Sequence, residues 1–268
     1  MYLAKTMNFL AFDTGTEFTS IAVCTSRNGQ LQQWQHTAGG GVKASTDLIP
    51  AILELMQQAG LTLQALDAIC FGSGPGSFTG LRTACSVAQG LAFGAGVPVL
   101  AVDSLLTVAE EARHTALATR SAGVVTALLD ARMDEMYCAT YAFVGNQWTE
   151  LRGSALVQPE KLLRLPTDPA APSTPWLLAG NVFAVYGERV AADDPNAPAA
   201  QRITALPTAS AMLRLAPALL AAGQAVPAEQ ALPSYIRDKV AKTTAERMAE
   251  KAVAALANAA VTVNVTGP

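Results

Sequence analysis

The glycine-rich run Gly-Ser-Gly-Pro-Gly-Ser at residues 72–77 is the feature that most constrains the fold of this 268-residue chain. It follows Ala68–Phe71, an apolar segment typical of a buried strand, and precedes a segment with apolar residues at helical spacing. A strand that turns this tightly into a helix allows the helix to fold back onto the sheet. The run therefore predicts an α/β fold, with a tight turn made by Gly72, Gly74, Pro75, Gly76 and Ser77.

A glycine-rich turn before a helix is also a ready anion site, because the first N–H groups of the helix point outward. The standard motifs nevertheless fail here. A Walker A loop needs a Lys that the run lacks, and a Rossmann fingerprint needs a third Gly where Ser77 or Thr79 stands. A nucleophile elbow needs glycines two residues before and two after its Ser, and neither Ser73 nor Ser77 has both. A plain tight turn stays open as the alternative.

The segments around this turn alternate regularly. Predicted helices at 45–59 and 78–95 flank the turn, and Asn28-Gly29 upstream is a strong hairpin signal. The first half therefore predicts an antiparallel meander followed by helices and strands in the order β-β-β-α-β-α-β. Its predicted strands are 9–12, 19–24, 31–36, 68–71 and 97–102.

The second half predicts a helix at 104–118 and then a hairpin of residues 123–129 and 136–143 around Asp130–Glu135. Shorter elements follow. They are a Pro-rich loop at 166–175, a strand at 176–179, a loop at 191–200, a helix at 209–222, an extended segment at 233–237 and an Ala-rich, helix-competent segment at 243–260.

Composition restricts the class of function. With 18 Lys and Arg against 21 Asp and Glu, the net charge is −3, which gives no basic footprint for gripping a phosphate backbone. If tRNA is a partner, we expect this chain not to hold it alone. The most apolar stretch, Gly90–Val102, is too short to span a bilayer and contains Pro98, so no membrane role is expected.

The cysteines and the start of the chain indicate a cytoplasmic protein. Cys24, Cys70, Cys85 and Cys138 are widely spaced, form no C-x-x-C pair and follow no secretory leader, so we expect buried, reduced thiols. Met7 is an alternative start, because residues 1–6 precede the first patterned strand.

A second motif that bears on function is Asp13, Thr14, Gly15 and Thr16, between two predicted strands. In sugar kinases, actin and heat-shock ATPases such a hairpin tip cradles nucleotide phosphates through backbone N–H groups. An aspartic protease would need a second Asp-Thr-Gly or Asp-Ser-Gly, which the chain lacks. Three alternatives stay open: a relic or working phosphate loop, a plain turn in which Asp13 hydrogen-bonds its own backbone, and a protease site completed by a dimer mate.

The run Phe71–Arg82, followed by an apolar helix and then Gly96–Leu105, closely resembles the TsaB (YeaZ) family. The family pattern is a G-x-GPGSFTGLR turn, a small-residue helix and a G-[IV]-P strand leading to a Ser-Leu pair. The resemblance extends over about residues 7–241 through Leu10–Thr14, Leu128–Arg132 with Glu135 and Tyr137, and Pro233–Arg237 with Val240-Ala241. Two departures are Ser45-Thr46-Asp47, where many relatives have a His, and Met133-Asp134, where Arg-Gly is frequent.

The resemblance implies an ASKHA fold, of the actin, heat-shock ATPase and sugar kinase type, with two lobes that each carry a mixed β-sheet and flanking helices. We expect residues 1–105 to form the N-terminal lobe and residues 106–207 the C-terminal lobe. Residues 208–240 should then return to the lobe junction, and residues 241–268 should form an Ala-rich tail.

The resemblance also implies a non-catalytic partner of TsaD, the enzyme that transfers threonylcarbamoyl to adenosine 37 of tRNAs reading ANN codons. It implies TsaE and a TsaC-type enzyme in the same pathway, indirect contact with tRNA, and a homodimer when TsaD is absent. No tightly bound cofactor is expected, with ATP or ADP at the TsaD interface as the candidate ligand. The alternatives are an ATP-using ASKHA enzyme and a glycoprotease-like peptidase.

The chain lacks residues that a catalytic relative would need, and this favours a partner subunit over an enzyme. TsaD-like chains have a His-x-x-x-His metal pair where this chain has Ser104 and Val108, and its two histidines, His36 and His114, are far apart. We therefore expect neither catalytic residues nor a metal site. The second-lobe loop Asp130–Arg132 lacks the glycines of an ATP clamp, and no Gly-Gly pair follows residue 41.

The resemblance implies that the two helices beside the glycine turn pair with TsaD, or with a second copy of the chain when TsaD is absent. The alternative is that both helices simply pack on their own sheet, and both arrangements can hold on opposite helix faces. Helix 78–95 is rich in small residues, which permit close helix approach. On this view Ala88 faces solvent in the monomer, so that Ala88→Glu would leave the fold intact. The predicted interface residues are Leu48, Ile52, Leu55, Phe78, Leu81, Arg82, Cys85 and Ala88.

Overall fold

The structure, a computed structural model, describes residues 7–27, 30–40, 44–162, 176–190 and 201–237. Predictions for the loops 166–175 and 191–200 and for the segment 243–260 lie outside these residues. Among the described residues, no helix is long and apolar enough to cross a membrane.

The first half forms a five-stranded mixed sheet in the order β3-β2-β1-β4-β5. The first three strands are antiparallel neighbours, and β4 and β5 then run parallel to β1. The predicted order β-β-β-α-β-α-β is confirmed, and one 3₁₀ turn at Leu63–Ala65 lies between the first helix and the fourth strand. The elements are β1 (Asn8–Asp13), β2 (Phe18–Arg27), β3 (Gln30–Gly39), α1 (Ala44–Ala59), β4 (Ala68–Gly74), α2 (Phe78–Ala95) and β5 (Val99–Asp103).

Helices cover both faces of this sheet because successive strand residues point to opposite sides. Leu10 and Phe12 of β1 face α1 and α2, and belong to one core cluster with the apolar stripes of those helices. Phe9 and Ala11 face the other way, against α5 (Ala209–Ala221). Sequence alternation in the strands therefore determines which helices lie on which side.

The second half forms another five-stranded mixed sheet, in the order β10-β9-β6-β7-β8. α3 (Ser104–Ala116) packs on this sheet, and its Leu105 and Val108 lie in the core that it shares with β6 and β7. The predicted hairpin is confirmed and longer than expected. The elements are β6 (Ala122–Arg132), β7 (Glu135–Val144), β8 (Gln147–Val157), β9 (Trp176–Gly180), α4 (Phe183–Tyr186) and β10 (Gln201–Thr204).

α3 and α5 connect the two sheets. Glu110 of α3 is 2% exposed and takes a bidentate pair of bonds from Arg113, at 2.7 and 2.8 Å, and a third from Arg214 of α5 at 2.8 Å. Burial alone would raise the pKa of Glu110, but Arg113 and Arg214 hold it below its ordinary value. The carboxylate is therefore ionised at neutral pH, and it links α3, which packs on the second sheet, to α5, which packs on the first.

Candidate functional site

The hairpin tip after β1 and the glycine turn after β4 are packed into one another. Asp13 is 1% exposed, its Oδ1 accepts a bond of 2.7 Å from the Gly15 N–H, and its Oδ2 accepts one of 3.3 Å from the Ser104 hydroxyl. A methyl group on Gly72 would overlap this carboxylate. Gly72 is therefore glycine because the carboxylate occupies the space where a side chain would lie.

The backbones of the two loops also touch. The Ser77 N–H donates to the Gly15 carbonyl at 2.8 Å, and the Thr14 hydroxyl donates to the Gly80 carbonyl at 2.7 Å. A methyl group on Gly76 would lie 2.6 Å from the Gly15 oxygen, and one on Gly80 would overlap the Thr14 carbonyl. Direct backbone contact thus fills the space between the two motifs.

This geometry favours the plain turn over the phosphate loop for Asp13–Thr16. The N–H of Gly15, which a phosphate loop would offer to an anion, is taken by the carboxylate two residues before it. The Thr16 hydroxyl oxygen is also used within the turn, since it accepts a weak bond of 3.3 Å from the Phe18 N–H. Pro75 of the glycine turn is buried. Burial raises the pKa of Asp13 to about 6, against partial opposition from its bonds to Gly15 and Ser104.

The positions of a TsaD-like metal pair are buried within the fold. Ser104 is 1% exposed and donates to Asp13, and Val108 is 0% exposed within the core of the second sheet. In the part of the chain that the structure describes, no three His, Cys, Asp or Glu side chains come together as metal ligands. His36 and His114 are both exposed and lie on different elements, β3 and α3.

Six of the eight predicted interface residues are not at the surface, which corrects the expectation for them. Ala88 is 0% exposed in the core of the first sheet, so Ala88→Glu would bury a charge in the monomer itself. The spacing of an apolar stripe is the same whether it faces a sheet or a partner, and here the sheet takes it. The six residues, all 5% exposed or less, are Leu48, Ile52, Leu55, Leu81, Cys85 and Ala88.

The outward faces of α1 and α2 carry a second set of apolar residues, which we call the outer helix face. Ile49 and Leu53, one turn apart on α1, are 41% and 49% exposed, and Phe93 near the end of α2 is 80% exposed. Leu53 and Phe93 fall outside the buried stripes, and that position is the sequence signal that could have identified them. The remaining members are Pro50, Gln57, Thr79, Arg82, Thr83, Ser86, Val87, Gly90 and Gly94.

The other two predicted interface residues meet a segment that the sequence did not connect to them. The ring of Phe78 stacks on that of Tyr235, with centroids 4.8 Å apart and planes 16° from parallel. The Arg82 Nε donates to the Tyr235 hydroxyl at 3.1 Å. The Pro-x-Tyr-x-Arg sequence around Tyr235 was visible, but its packing partner lies about 150 residues earlier, beyond any local pattern.

A cleft of about 770 Å³ lies between α3, α5 and the turn that joins β7 to β8. Its size would suit a small molecule. Of the three carboxylates among its described lining residues, Asp103 and Glu110 are already bonded within the protein. Asp103 accepts bonds from the Leu106 N–H at 2.8 Å and the Tyr141 hydroxyl at 3.1 Å, and Glu110 also accepts one of 3.2 Å from the Trp148 indole. The arrangement therefore works mainly as a structural network.

The tip of the second hairpin is a two-residue turn with strained backbone. Met133 and Asp134 have φ of 56° and 64°, and Arg132 before them has φ of 60°. Such left-handed values are unfavourable for residues other than Gly, Asn and Asp. Asp130 accepts bonds of 2.8 Å each from the Arg132 N–H and the Tyr186 hydroxyl, and Asp134 forms a bidentate pair with Arg189 at 2.7 and 2.8 Å.

Known proteins resemble this chain over most of its length. A family model described as "TsaD: tRNA N6-adenosine threonylcarbamoyltransferase" matches residues 30–245. The tRNA threonylcarbamoyladenosine biosynthesis protein TsaB of Escherichia coli K12 is 31% identical over 244 residues, which cover 88% of this chain and 96% of that protein. TsaB of Haemophilus influenzae is 31% identical over 249 residues, with the same shares.

Two solved structures from Pseudomonas aeruginosa have the same fold. One, described as an uncharacterized protein with similarity to peptidase YeaZ, is 37% identical with a TM-score of 0.73, covering 86% of this chain and all of that one. The other, YeaZ, is 36% identical with a TM-score of 0.70, covering 85% and 99%. These likenesses, together with the two mixed sheets, confirm the ASKHA-type α/β fold, and the chain belongs to the TsaB (YeaZ) family.

Proposed function

We propose that this chain is a non-catalytic partner subunit in the synthesis of threonylcarbamoyladenosine on tRNA, and that its outer helix face docks on a TsaD-type enzyme. The observation that carries the proposal is the exposure of Ile49, Leu53 and Phe93 on two helices, α1 and α2, that pack on the same side of the first sheet. Apolar side chains grouped on one face commonly mark a protein interface. The substrate on this proposal is adenosine 37 of tRNAs that read ANN codons.

The packing of the two loops supports a role without catalysis. Asp13, which in ATP-using relatives of this fold would face a metal-bound nucleotide, is enclosed by Gly72, Gly15 and Ser104. Ser104 and Val108 offer a hydroxyl and an aliphatic group where an enzyme of this kind would offer imidazoles. A fold can keep its architecture and lose its chemistry when its remaining task is to bind a partner.

The outer helix face also contains small residues of the kind found where helices pack closely together. Gly90 and Gly94 lie on the outward side of α2, and no described atom beyond the local helix backbone lies within 4 Å of where a side chain would begin. Small residues of this kind let a second pair of helices approach closely. The same face would serve a second copy of this chain when the enzyme is absent.

The remaining partners follow from the same pathway and from charge. TsaE and a TsaC-type enzyme act in the pathway that we propose, which places the chain in the cytoplasm with tRNA. With a net charge of −3, this chain would contact tRNA through its partner rather than by itself. ATP or ADP would bind at the enzyme interface, since the first-lobe loop is filled by its own backbone.

Size-exclusion chromatography of the chain with its cognate TsaD, together with reconstituted tRNA modification, tests the proposal. Leu53→Glu and Phe93→Glu should each weaken the complex by at least about tenfold, because association would bury an unpaired charge. Both variants should keep the circular dichroism of the wild type, since both sites are exposed in the monomer.

A matched control is available on the second sheet. Leu151 of β8 is 48% exposed, almost the same as Leu53, but lies away from the outer helix face. Leu151→Glu should leave binding and modification unchanged. Equal loss in all three variants, or full binding by folded Leu53→Glu and Phe93→Glu, would show that α1 and α2 do not form the interface.

A further inference from the structure

The described C-terminal segment lies across the glycine turn and along α2 as far as Gln89. The Ser234 N–H donates to the Ser73 carbonyl at 2.7 Å, and the Gln89 amide donates to the Ala231 carbonyl at 3.0 Å. A methyl group on Gly74 would lie 2.5 Å from the Ser234 oxygen, so the approach depends on glycine there. These contacts fix the segment at both ends of a short span and place Tyr235 beside α2.

Tyr235 and Phe78 together hold the side chain of Arg82. The guanidinium carbon lies 5.8 Å from the centroid of the Phe78 ring and 5.9 Å from that of Tyr235, within cation–π range. Its Nε is used by the Tyr235 hydroxyl. Its two terminal nitrogens have no partner among the described residues. Arg82 is thus an exposed arginine that is restrained, with its outer donors unbonded to any residue that the structure describes.

Among the described residues, neither of the two helices on this face supplies an acidic partner for Arg82. Arg82 is the only charged residue of α2, and the described part of α1 carries Asp47 and Glu54, neither of which pairs with it. A groove of about 440 Å³ lies beside it on the outward side of α2, lined by Thr79, Arg82, Thr83, Ser86 and Val87. This groove is part of the outer helix face.

We propose that this groove receives an aspartate or glutamate side chain of the docked partner, with Arg82 as the group that recognises it. The inference rests on the proposed docking function and names the chemistry of one contact within it. Two free guanidinium nitrogens in one plane match the two oxygens of a carboxylate. Tyr235 and Phe78 are positioning residues, since they hold the guanidinium before the partner arrives and so lower the entropy lost on binding.

A carboxylate fits this groove better than a nucleic-acid phosphate, because the groove offers only one positively charged side chain among its described residues. Proteins that bind a phosphate backbone neutralise several phosphates at once. Here a single cation stands among Thr, Ser and Val side chains on an otherwise uncharged helix. An arginine flanked by aromatic rings at the edge of an apolar face is the usual composition of a protein–protein hot spot.

The test measures the dissociation constant of the full chain with its cognate TsaD by calorimetry, at low and high salt. Arg82→Met should weaken binding by about tenfold or more and reduce the salt dependence. Arg82→Lys should give an intermediate loss, because it keeps the charge without the planar fork. Tyr235→Phe should give a smaller loss, because it keeps the ring stack and removes only the hydroxyl that holds the Arg82 Nε.

Arg120→Met is the matched control, since Arg120 is an exposed arginine after α3 and its replacement removes the same charge elsewhere. It should bind as the wild type does. Changing single Asp or Glu residues of TsaD to Lys should identify one position that restores binding by Arg82→Glu.

The outcomes separate the two proposals. If the wild-type chain does not bind TsaD, the proposed function fails. If the wild type binds and Leu53→Glu does not, but Arg82→Met and Arg82→Lys both match Arg120→Met, docking stands and the carboxylate contact is wrong. Thermal unfolding of each variant checks the fold, and Arg82→Lys decides the question if Arg82→Met is unstable.

Discussion

Two of the β-hairpin tips, one in each sheet, are held in different ways. The tip after β1 fits against the glycine turn, where Gly72 and Gly80 leave room for Asp13 and the Thr14 backbone. The tip between β6 and β7 has no glycine and takes left-handed backbone at Met133 and Asp134. The first tip is thus stabilised by close backbone packing and the second by side-chain bonds that offset an unfavourable backbone.

The difference shows what each tip tolerates. Close backbone packing leaves no space for an added methyl group, so the first tip should respond sharply to a very small change. The second tip depends on Tyr186 and Arg189, which reach Asp130 and Asp134 from more than 50 residues away. Met133 is the suboptimal residue of this turn, so replacing it with a residue that accepts left-handed backbone should increase the stability of the protein.

Gly72→Ala should have the largest effect. The added methyl group would overlap the buried Asp13 carboxylate, which is enclosed and cannot move without losing its bonds to Gly15 and Ser104. We expect a loss of about 3 kcal/mol or more in the free energy of unfolding. Guanidinium unfolding followed by circular dichroism measures it.

Gly90→Ala is the matched control for that experiment. Gly90 lies within α2, and no described atom beyond the local helix backbone lies within 4 Å of where a side chain would begin, so alanine there should stabilise the monomer by about 0.5–1 kcal/mol. If Gly72→Ala is as stable as the wild type, the two loops are not packed together as described, and the first tip could open to admit a ligand.

Asp13→Asn tests the carboxylate itself through pH. Because burial raises the pKa of Asp13 from 3.8 to about 6, folding favours its protonated form. The contribution of protonated Asp13 to stability is fully present below pH 3.8 and is lost as the pH rises to about 6. Above about pH 6, the free energy of unfolding should be lower by about 3 kcal/mol than it is below pH 3.8. Asn keeps the shape and cannot ionise.

The measurement is the difference in unfolding free energy between wild type and Asp13→Asn across pH 4 to 7, with the pH points chosen to bracket the raised pKa of about 6. As the pH rises, the free energy of unfolding of Asp13→Asn should increase relative to that of the wild type. Taking the difference removes the effect of Glu110, whose lowered pKa acts in the opposite direction. A difference that stays constant with pH would mean that Asp13 is not desolvated.

The sequence predicted most of the fold because the relevant signals are local. Glycines, hairpin turns and apolar periodicity placed α2 at Phe78–Ala95 as observed. The strand β8 was missed because Gln147–Val157 is largely polar and lies at the edge of its sheet, where one apolar face is enough. The glycine turn was predicted as tight, but its contact with Asp13 joins residues 59 positions apart.

The candidate site was predicted less well, for a physical reason. Apolar spacing shows that a helix has a buried stripe, and it does not show what covers the stripe. Leu48 and Ala88 were assigned to a partner and belong to the monomer core, whereas the exposed Leu53 and Phe93 lie off the stripe. Phe78 and Arg82 remained at the surface, but their contact with Tyr235 needed the folded chain to bring distant segments together.

Met133→Asn should have the smallest effect and the opposite sign to Gly72→Ala. A two-residue hairpin with positive φ at both positions favours Asn-Gly, because Asn accepts left-handed backbone far more readily than Met. We expect a gain of about 0.5–1 kcal/mol in the free energy of unfolding. Met133→Ala is the control, since alanine has the same backbone cost and should give no gain. Guanidinium unfolding of the wild type and both variants measures the effect. A lower free energy of unfolding in Met133→Asn would show that the contacts of the exposed Met133 side chain stabilise the turn by more than its left-handed backbone destabilises it.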